Sequence, residues 1–424
     1  MTMHRSRRNF LRLAGGVALA APFACSRDGR AHAGRVVVIG GGAGGAIAAR
    51  MLSRFGGGLD ITLVEPKTLY TTCFFSNRYV GGVQDFESIT HGYDRLAEDP
   101  GVRVLRQAAA AIDPKARTVT LSGGETVGWD RLVVAPGIDF RWDAIEGYGP
   151  EATKIMPHAW RAGAQSRLLR AQLEAMEDGG TFLIAPPEEP YRCPSGPYER
   201  VSLVAHYFSH AKPKSKIVIL DAKSEFPLQA QFEEGWANHY PGMIEMIPAD
   251  FSGGPRAVDP STMTVMSEDS EFKVAVANII PPQLAGKVAR DAGLADGSGW
   301  CPVNQESFES AIIPGVYVIG DAAIASPMPK AGYAANLQAK LCVRAIVGEM
   351  TGKTVAAPVI GGACWSHITP RQAVREYAEY EYSDGAIRRT ALDISPTGED
   401  DNQRAVTAGE ADRWYRDITH EMFG

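Results

Sequence analysis

One stretch near the start of the chain constrains the fold more than any other: "GRVVVIGGGAGGAIAARML", which begins at Gly34. Its apolar run Val36 to Ile39 predicts a buried strand, and the alanine-rich segment predicts a helix. A second predicted strand, "DITLVE", ends at Glu65, about 20 residues past the last glycine. Between strand and helix lie three glycines at the spacing G-x-G-x-x-G: Gly40, Gly42 and Gly45. Such an order predicts a dinucleotide site, in which the helix N-terminus meets a pyrophosphate and Glu65 binds ribose hydroxyls.

Two later segments indicate which dinucleotide is bound. "IPGVYVIGDAAIASPMPKAGYAANLQAK" predicts a buried strand ending at Gly320-Asp321 and a helix rich in small residues. This pattern is typical of proteins whose aspartate binds the ribityl chain and phosphate of FAD, while the next helix points its N-terminus at the flavin. "RLVVAPGI", residues 131–138, is typical of the strand and turn by which a chain leaves an FAD domain. The three segments in this order predict FAD.

A second nucleotide site is predicted to be degenerate. The strand "TFLIA" runs into Pro186-Pro187-Glu188-Glu189-Pro190, with no G-x-G-x-x-G after it. Prolines lack the N–H donors that bind phosphate, and carboxylates repel it. We therefore expect an electron donor other than NAD(P)H.

The cysteines indicate how an electron donor other than NAD(P)H could reduce the flavin. Cys193 lies in the turn-rich "YRCPSGPYER" with Glu199 close behind, and Cys364 lies in "GGACWSHITP". Cys73, in "YTTCFFSN", follows the second strand, where a thiol can form a thioether to the flavin 8α-methyl carbon. Cys193 and Cys364 could instead each be a small buried hydrophobe, and a Cys193–Cys301 pair is a further alternative. Cys301 and Cys342 are interpreted as structural.

The first 33 residues are predicted to be a leader. Ser6-Arg7-Arg8-Asn9-Phe10-Leu11-Arg12 is a twin-arginine pattern, followed by an apolar run and the triplet Ala31-His32-Ala33. We expect export in the folded state and a periplasmic mature protein beginning near Gly34. Because the leader holds six arginines and one aspartate, the formal net charge of −6 would become −11. Such an acidic surface disfavours nucleic acid as a partner.

The length and hydrophobic content of the chain fit several domains without a membrane anchor. The chain has 424 residues, of which 45% are hydrophobic, enough for two or three buried cores. No apolar run approaches the roughly 20 residues of a membrane-spanning helix, so no integral membrane association is expected. After the leader, five cysteines remain, an odd number that leaves at least one unpaired.

Taken together, the mature sequence resembles the flavoprotein subunit of flavocytochrome c sulfide dehydrogenase, a relative of glutathione reductase and of sulfide:quinone oxidoreductase. The similarity covers almost the whole mature chain, with specific strings such as "EPKTLYTTCFFSN", "APPEEPYRCPSGPYER", "VIGDAAIASPMPKAGYAAN" and "WYRDITHEMFG". Two departures are the "TTCFF" around the flavin-linking cysteine and the additional Cys342.

This resemblance implies specific roles for matching residues. Cys73 would carry covalent FAD, Cys193 and Cys364 would form a redox-active disulfide over the flavin, and Trp414 would lie near the ring. Glu199 would assist proton transfer, a role suited to a carboxylate whose pKa burial raises.

The implied architecture is an α/β fold of the glutathione reductase type, with two dinucleotide-binding, Rossmann-like domains and a C-terminal interface domain. We predict an FAD domain over residues 34–147 and 287–351, a degenerate NAD-binding-like domain over 148–286 and the interface domain over 352–424. The polar segment 393–410 is predicted to be a loop.

The implied activity is oxidation of sulfide to sulfur or polysulfide through the disulfide and FAD. Since the chain has no Cys-x-x-Cys-His, any haem would belong to a cytochrome c subunit in a heterodimer. A sulfide:quinone oxidoreductase-like enzyme is one alternative, although its apolar C-terminus is missing here. A non-catalytic flavin-binding protein is the other.

Overall fold

A computed structural model describes residues 33–424, so the predicted twin-arginine leader lies outside the described residues except for Ala33. Within the described range, no helix is long and apolar enough to cross a bilayer.

The strands run in chain order as β1 Arg35–Ile39, β2 Asp60–Val64, β3 Leu69–Thr71, β4 Thr90–Gly92, β5 Val102–Leu105, β6 Ala109–Asp113, β7 Thr118–Leu121, β8 Thr126–Gly128, β9 Arg131–Val134, β10 Ile138–Phe140, β11 Thr181–Ala185, β12 Lys216–Leu220, β13 Ile244–Ile247, β14 Ala257–Asp259, β15 Thr264–Met266, β16 Glu271–Lys273, β17 Val276–Ile279, β18 Gln283–Ala285, β19 Cys301–Pro302, β20 Val316–Val318, β21 Ala323–Ile324, β22 Gly361–Thr369, β23 Gln372–Ser383 and β24 Ala386–Ile394. The helices are α1 Gly45–Phe55, α2 Ser76–Val80, α3 Asp94–Glu98, α4 Ala164–Ala175, α5 Gly196–Ala211, α6 Gln229–His239, α7 Ala249–Ser252, α8 Lys287–Asp291, α9 Gly332–Thr351 and α10 Asp401–Phe423.

The first sheet is parallel and has the order β20-β9-β1-β2-β5. Its central strand β1 pairs with β2 on one side and β9 on the other, and its last four residues are buried. Strands buried on both faces read as continuous apolar runs, and "RVVVI" and "RLVV" are such runs. The predicted order of strand, glycine turn, helix and strand is confirmed as β1, α1 and β2.

A second parallel sheet, β13-β12-β11-β17, lies in the middle of the sequence. Its strand β11 is the predicted "TFLIA", buried over its last four residues. The helix that follows, α5, begins only at Gly196, so a long loop carries the proline-rich stretch and Cys193. The two parallel sheets with their helices confirm the predicted α/β class.

The chain passes between the two sheets at β10 and returns at β18, and these strands pair antiparallel. The strand β10 ends seven residues before the predicted boundary at 147, and β18 ends two residues before that at 287; both boundaries stay predictions.

The C-terminal region is an antiparallel sheet, β22-β23-β24, with α10 packed on β23. The predicted loop over 393–410 is wrong, because β24 continues to Ile394 and α10 begins at Asp401. Asp400 caps this helix by accepting from the backbone N–H groups of Asn402 and Gln403. At the other end, the ring of Phe423 stacks on His91 at 5.3 Å between centroids.

Candidate active site

The glycine turn between β1 and α1 has no room for a side chain at Gly40 or Gly45. A Cβ at Gly45 would lie 1.8 Å from the carbonyl oxygen of Gly40, and one at Gly40 would lie 2.3 Å from that of Ala135. Gly40 also has a positive φ of 93°, which favours glycine. The buried carboxylate of Glu65 accepts from the Gly41 N–H at 2.8 Å and from the Lys67 N–H. These hydrogen bonds from Glu65 therefore fix the conformation of the turn beside the N-terminus of α1.

A single cavity runs from this turn to the cysteines. Its lining includes eight of the residues that the sequence singled out: Gly42, Cys73, Cys193, Glu199, Gly320, Asp321, Cys364 and Trp414. Of these eight, Cys364 lies on β22, Glu199 on α5 and Trp414 on α10, and the others lie on loops and turns. The cavity thus joins a glycine cradle suited to a pyrophosphate at one end to a pair of thiols at the other, and an elongated dinucleotide such as FAD fits this lining.

Asp321 is held by a cation that the sequence analysis did not select. The Arg192 Nε donates to Asp321 Oδ2 at 2.7 Å, and both side chains line the cavity. Arg192 also donates to the carbonyl of Trp160, and its N–H donates to Gln283 Oε1. Arg192 therefore presents a fixed positive charge directly beside Cys193.

Cys193 and Cys364 reach the cavity from distant parts of the chain. Cys193 adopts a left-handed φ of 56°, and its N–H donates to the carbonyl of Lys330 at 2.8 Å. Cys364 lies on β22, which packs against α5. Neither forms a disulfide in this structure, and the Cys193–Cys364 pairing stays a prediction. The chain thereby brings together two thiols at one site.

Burial has the largest effect on the pKa of both thiols. It raises the pKa of Cys193 well above the usual value, with the Cys364 sulfur and Glu199 adding to the effect and Arg192 opposing it. It also raises the pKa of Cys364 to about 12, with contributions from Glu376 and Glu199. Thiolates at this site are therefore unfavourable unless a reaction creates them.

The prediction that burial raises the pKa of Glu199 is wrong in its net direction. Burial does act upward, but hydrogen bonds and charge from His367, with the Asn77 amide, outweigh it and lower the pKa. Glu199 Oε1 accepts from the His367 backbone N–H and lies 3.0 Å from His367 Nδ1. Glu199 Oε2 accepts from Asn77 at 2.8 Å. The carboxylate stays ionised beside the thiols.

His367 is a site residue that the sequence analysis missed. Its side chain is 1% exposed, and its Nε2 lies 3.4 Å from the Arg78 guanidinium, which pairs with Asp412 at 2.6 Å. The imidazole therefore has its Nε2 beside Arg78 and its Nδ1 beside Glu199. Its position three residues after Cys364 was the available signal.

Cys73 and Trp414 lie on the same wall of the cavity. Burial raises the pKa of the Cys73 thiol, and Arg192 opposes that shift. The ring of Phe74 lies 5.4 Å from that of Trp414, which in turn lies 5.5 Å from Trp365.

Cys301 and Cys342 are fully buried and are not among the residues that line this cavity. Cys301 lies on β19 and Cys342 on α9, and the structural role of both stays a prediction.

Comparison with known proteins was made against family models, curated sequences and solved structures. Residues 166–281 match the family model described as the central part of the sulfide dehydrogenase [flavocytochrome c] flavoprotein chain. Residues 356–423 match the flavin-binding model of flavocytochrome c sulphide dehydrogenase. Residues 34–167 match the pyridine nucleotide-disulphide oxidoreductase model.

Among similar proteins, the sulfide dehydrogenase [flavocytochrome c] flavoprotein chain of Chlorobaculum thiosulfatiphilum is 56% identical over 43 residues, 10% of this chain and 90% of that sequence. Mouse mitochondrial sulfide:quinone oxidoreductase is 23% identical over 68% of this chain, and the match spans 65% of the mouse protein. The structure of the sulfide:quinone oxidoreductase from Aquifex aeolicus superposes with a TM-score of 0.75 at 18% identity, covering 91% of this chain and 92% of that one. The predicted resemblance is confirmed: the chain belongs to the family of flavocytochrome c sulfide dehydrogenase flavoprotein chains, within the pyridine nucleotide-disulfide oxidoreductase superfamily.

Proposed function

We propose that this chain oxidises sulfide with a Cys193–Cys364 disulfide and FAD, and that it passes the electrons to a c-type cytochrome subunit. The observation that carries the proposal is one cavity in which two cysteines from distant parts of the chain lie with Glu199 at the end of a dinucleotide cradle. Membership of the family and the similarity to sulfide:quinone oxidoreductases support it.

The residues that would hold FAD are those of the cradle and of the cavity wall. The N–H groups at the start of α1 would bind the pyrophosphate, and Asp321 would bind the ribityl chain, with Arg192 orienting its carboxylate. When bound, FAD accepts an electron pair and releases electrons singly to a one-electron acceptor.

Hydrosulfide would react with the disulfide by thiol–disulfide exchange. Its sulfur forms a bond to one cysteine sulfur, the Cys193–Cys364 bond breaks, and the other cysteine leaves as a thiolate. Glu199, kept ionised by His367, would accept the proton that a neutral sulfide molecule or the new persulfide gives up. Arg192 supplies the positive charge that an incoming anion needs in a protein of negative net charge.

NAD(P)H is not the proposed donor. In the loop between β11 and α5, Pro186 and Pro187 offer no N–H groups and Glu188 adds a negative charge, where a nucleotide site would present phosphate-binding N–H groups.

Anaerobic addition of sulfide to the purified holoprotein tests the proposal. We expect the flavin absorbance near 450 nm to bleach and then to recover when a c-type cytochrome is added. Recovery with a short-chain quinone alone would favour the sulfide:quinone oxidoreductase alternative, which the similarity to the Aquifex aeolicus structure supports. A flavin that sulfide does not bleach would contradict both and favour a flavin-binding protein without this activity.

Replacing His367 with glutamine is expected to raise the pKa of Glu199, because it removes interactions of the imidazole that oppose the effect of burial. The acid limb of the pH profile for sulfide-driven flavin reduction should move to higher pH by about one unit, which is about tenfold in rate on that limb. His206→Gln, on the outer face of α5, is the matched control. An acid limb that does not move in His367→Gln would contradict the role assigned to the pair.

Covalent attachment of FAD to Cys73 is expected from its place on the cavity wall and from the family. Acid precipitation should leave flavin with the wild-type protein and release it from Cys73→Ser, and a Cys73 peptide should carry the flavin mass. Cys342→Ser should keep the flavin attached. Release of all flavin from the wild-type protein would rule out the thioether and leave non-covalent binding.

Export to the periplasm by the twin-arginine route remains part of the proposal. Replacing Arg7 and Arg8 with lysine should leave flavin-loaded protein in the cytoplasm, as measured by cell fractionation. An unchanged periplasmic yield would contradict it.

A further inference from the structure

A second carboxyl group, that of Glu376, lies beside Cys364 on the neighbouring strand. In the antiparallel pair β22 and β23, Cys364 is directly opposite Glu376. Side chains directly opposite each other in such a pair lie on the same face, with Cβ atoms about 4.5–5.5 Å apart. Glu376 is thus a close neighbour of Cys364 by the register of the sheet.

The groups around Glu376 come from three elements. Tyr333, at the start of α9, packs on Gly362 next to Cys364, and its hydroxyl lies 3.1 Å from that of Tyr380. Arg389, on β24, provides the nearby positive charge, and it opposes the rise that burial causes in the pKa of Glu376. The carboxyl is half-buried, so it can exchange protons with solvent.

Cys364 therefore lies between two carboxylates, Glu199 and Glu376, and both raise its pKa. With Glu376 ionised, opening the disulfide at this sulfur would place three negative charges within a buried cluster, which is unfavourable, and burial favours the protonated form of Glu376. Glu199 is tied to His367 and stays ionised. The negative charge that forms on Cys364 has to be neutralised by a proton from the side of Glu376.

We propose that Glu376 exchanges protons with the sulfur of Cys364 and so controls its ionisation during the reaction. The inference rests on the proposed function. Hydrosulfide bonds to the sulfur of Cys193, the Cys193–Cys364 bond breaks, and its electron pair stays on Cys364, so the sulfide sulfur is oxidised and the Cys364 sulfur reduced. The protonated carboxyl of Glu376 then gives its proton to the Cys364 thiolate and recovers one from solvent.

Alkylation of the reduced holoprotein tests this inference. The rate at which iodoacetamide labels Cys364 is measured by peptide mass from pH 6 to 10. In Glu376→Gln, we expect the profile to move to lower pH by about one unit, giving about tenfold faster labelling at a fixed pH on its acid side. Glu379→Gln is the matched control, because Glu379 is exposed and lies on the opposite face of the same strand. An identical profile in wild type and Glu376→Gln would overturn the proposal.

Two further measurements distinguish a failure of this inference from a failure of the proposed function. If Glu376→Gln loses its flavin, Glu376→Asp replaces it, and a profile unchanged by the shorter carboxylate would equally overturn the proposal. The alkylation readout does not depend on turnover. A wild-type flavin that sulfide fails to bleach, together with a shifted labelling profile, would therefore reject the proposed function while keeping the electrostatic coupling of Glu376 to Cys364.

Discussion

Replacing Cys193 or Cys364 with serine is expected to abolish sulfide-driven flavin reduction, lowering its rate at least ~10³-fold, equivalent to about 4 kcal/mol in activation free energy. A serine hydroxyl cannot form the sulfur–sulfur bond that accepts hydrosulfide, so removing either cysteine removes the same reaction. Both residues line the cavity without forming the glycine turn. FAD should therefore remain bound and reducible by dithionite, as measured by anaerobic stopped-flow absorbance.

Cys301→Ser is the matched control, because it removes a buried thiol that does not line the cavity. It should keep sulfide-dependent activity. Full activity in Cys364→Ser, or a peptide map of the oxidised protein that joins Cys193 to Cys301, would show that the pairing is wrong.

Replacing Gly45 with alanine should have the largest effect on cofactor binding. The added Cβ would lie 1.8 Å from the Gly40 carbonyl oxygen, so the turn and the start of α1 must separate. We expect flavin content to fall at least about tenfold and the free energy of unfolding to fall by roughly 2–4 kcal/mol. The flavin-to-protein absorbance ratio and urea unfolding measure the two effects.

Gly409→Ala provides the comparison for this glycine. A Cβ there meets nothing within 4 Å, and the residue lies inside α10, where alanine stabilises a helix by up to about 1 kcal/mol relative to glycine. Normal flavin content together with an unchanged urea midpoint in Gly45→Ala would contradict the steric argument.

Local patterns predicted the cradle well because its parts are adjacent in sequence. The strand β1, the glycine turn and α1 follow one another without interruption, and each has its own signal. The meeting of Cys193 with Cys364 had no such local signal, and only the family resemblance implied it. It depends on how β22 packs against α5, which spacing along the chain does not determine.

Two errors have the same physical origin. The ionisation of Glu199 depends on His367, a contact between α5 and β22, so burial alone gave the wrong direction. The start of α10, residues 401–410, was predicted as a loop because its buried stripe begins with polar residues: Arg404 is 5% exposed and pairs with Glu234. Both contacts join segments distant in sequence, where tertiary partners override local composition.

The position of β22 near the end of the chain has a consequence for biosynthesis. All strands of the first two sheets, and α9, precede residue 352, whereas Cys364 and His367 follow it. Domains generally fold as the chain emerges from the ribosome, N-terminal parts first. The nascent protein therefore completes its nucleotide cradle before Cys364 is in place, and the proposed disulfide chemistry requires that the last sheet and α10 have docked.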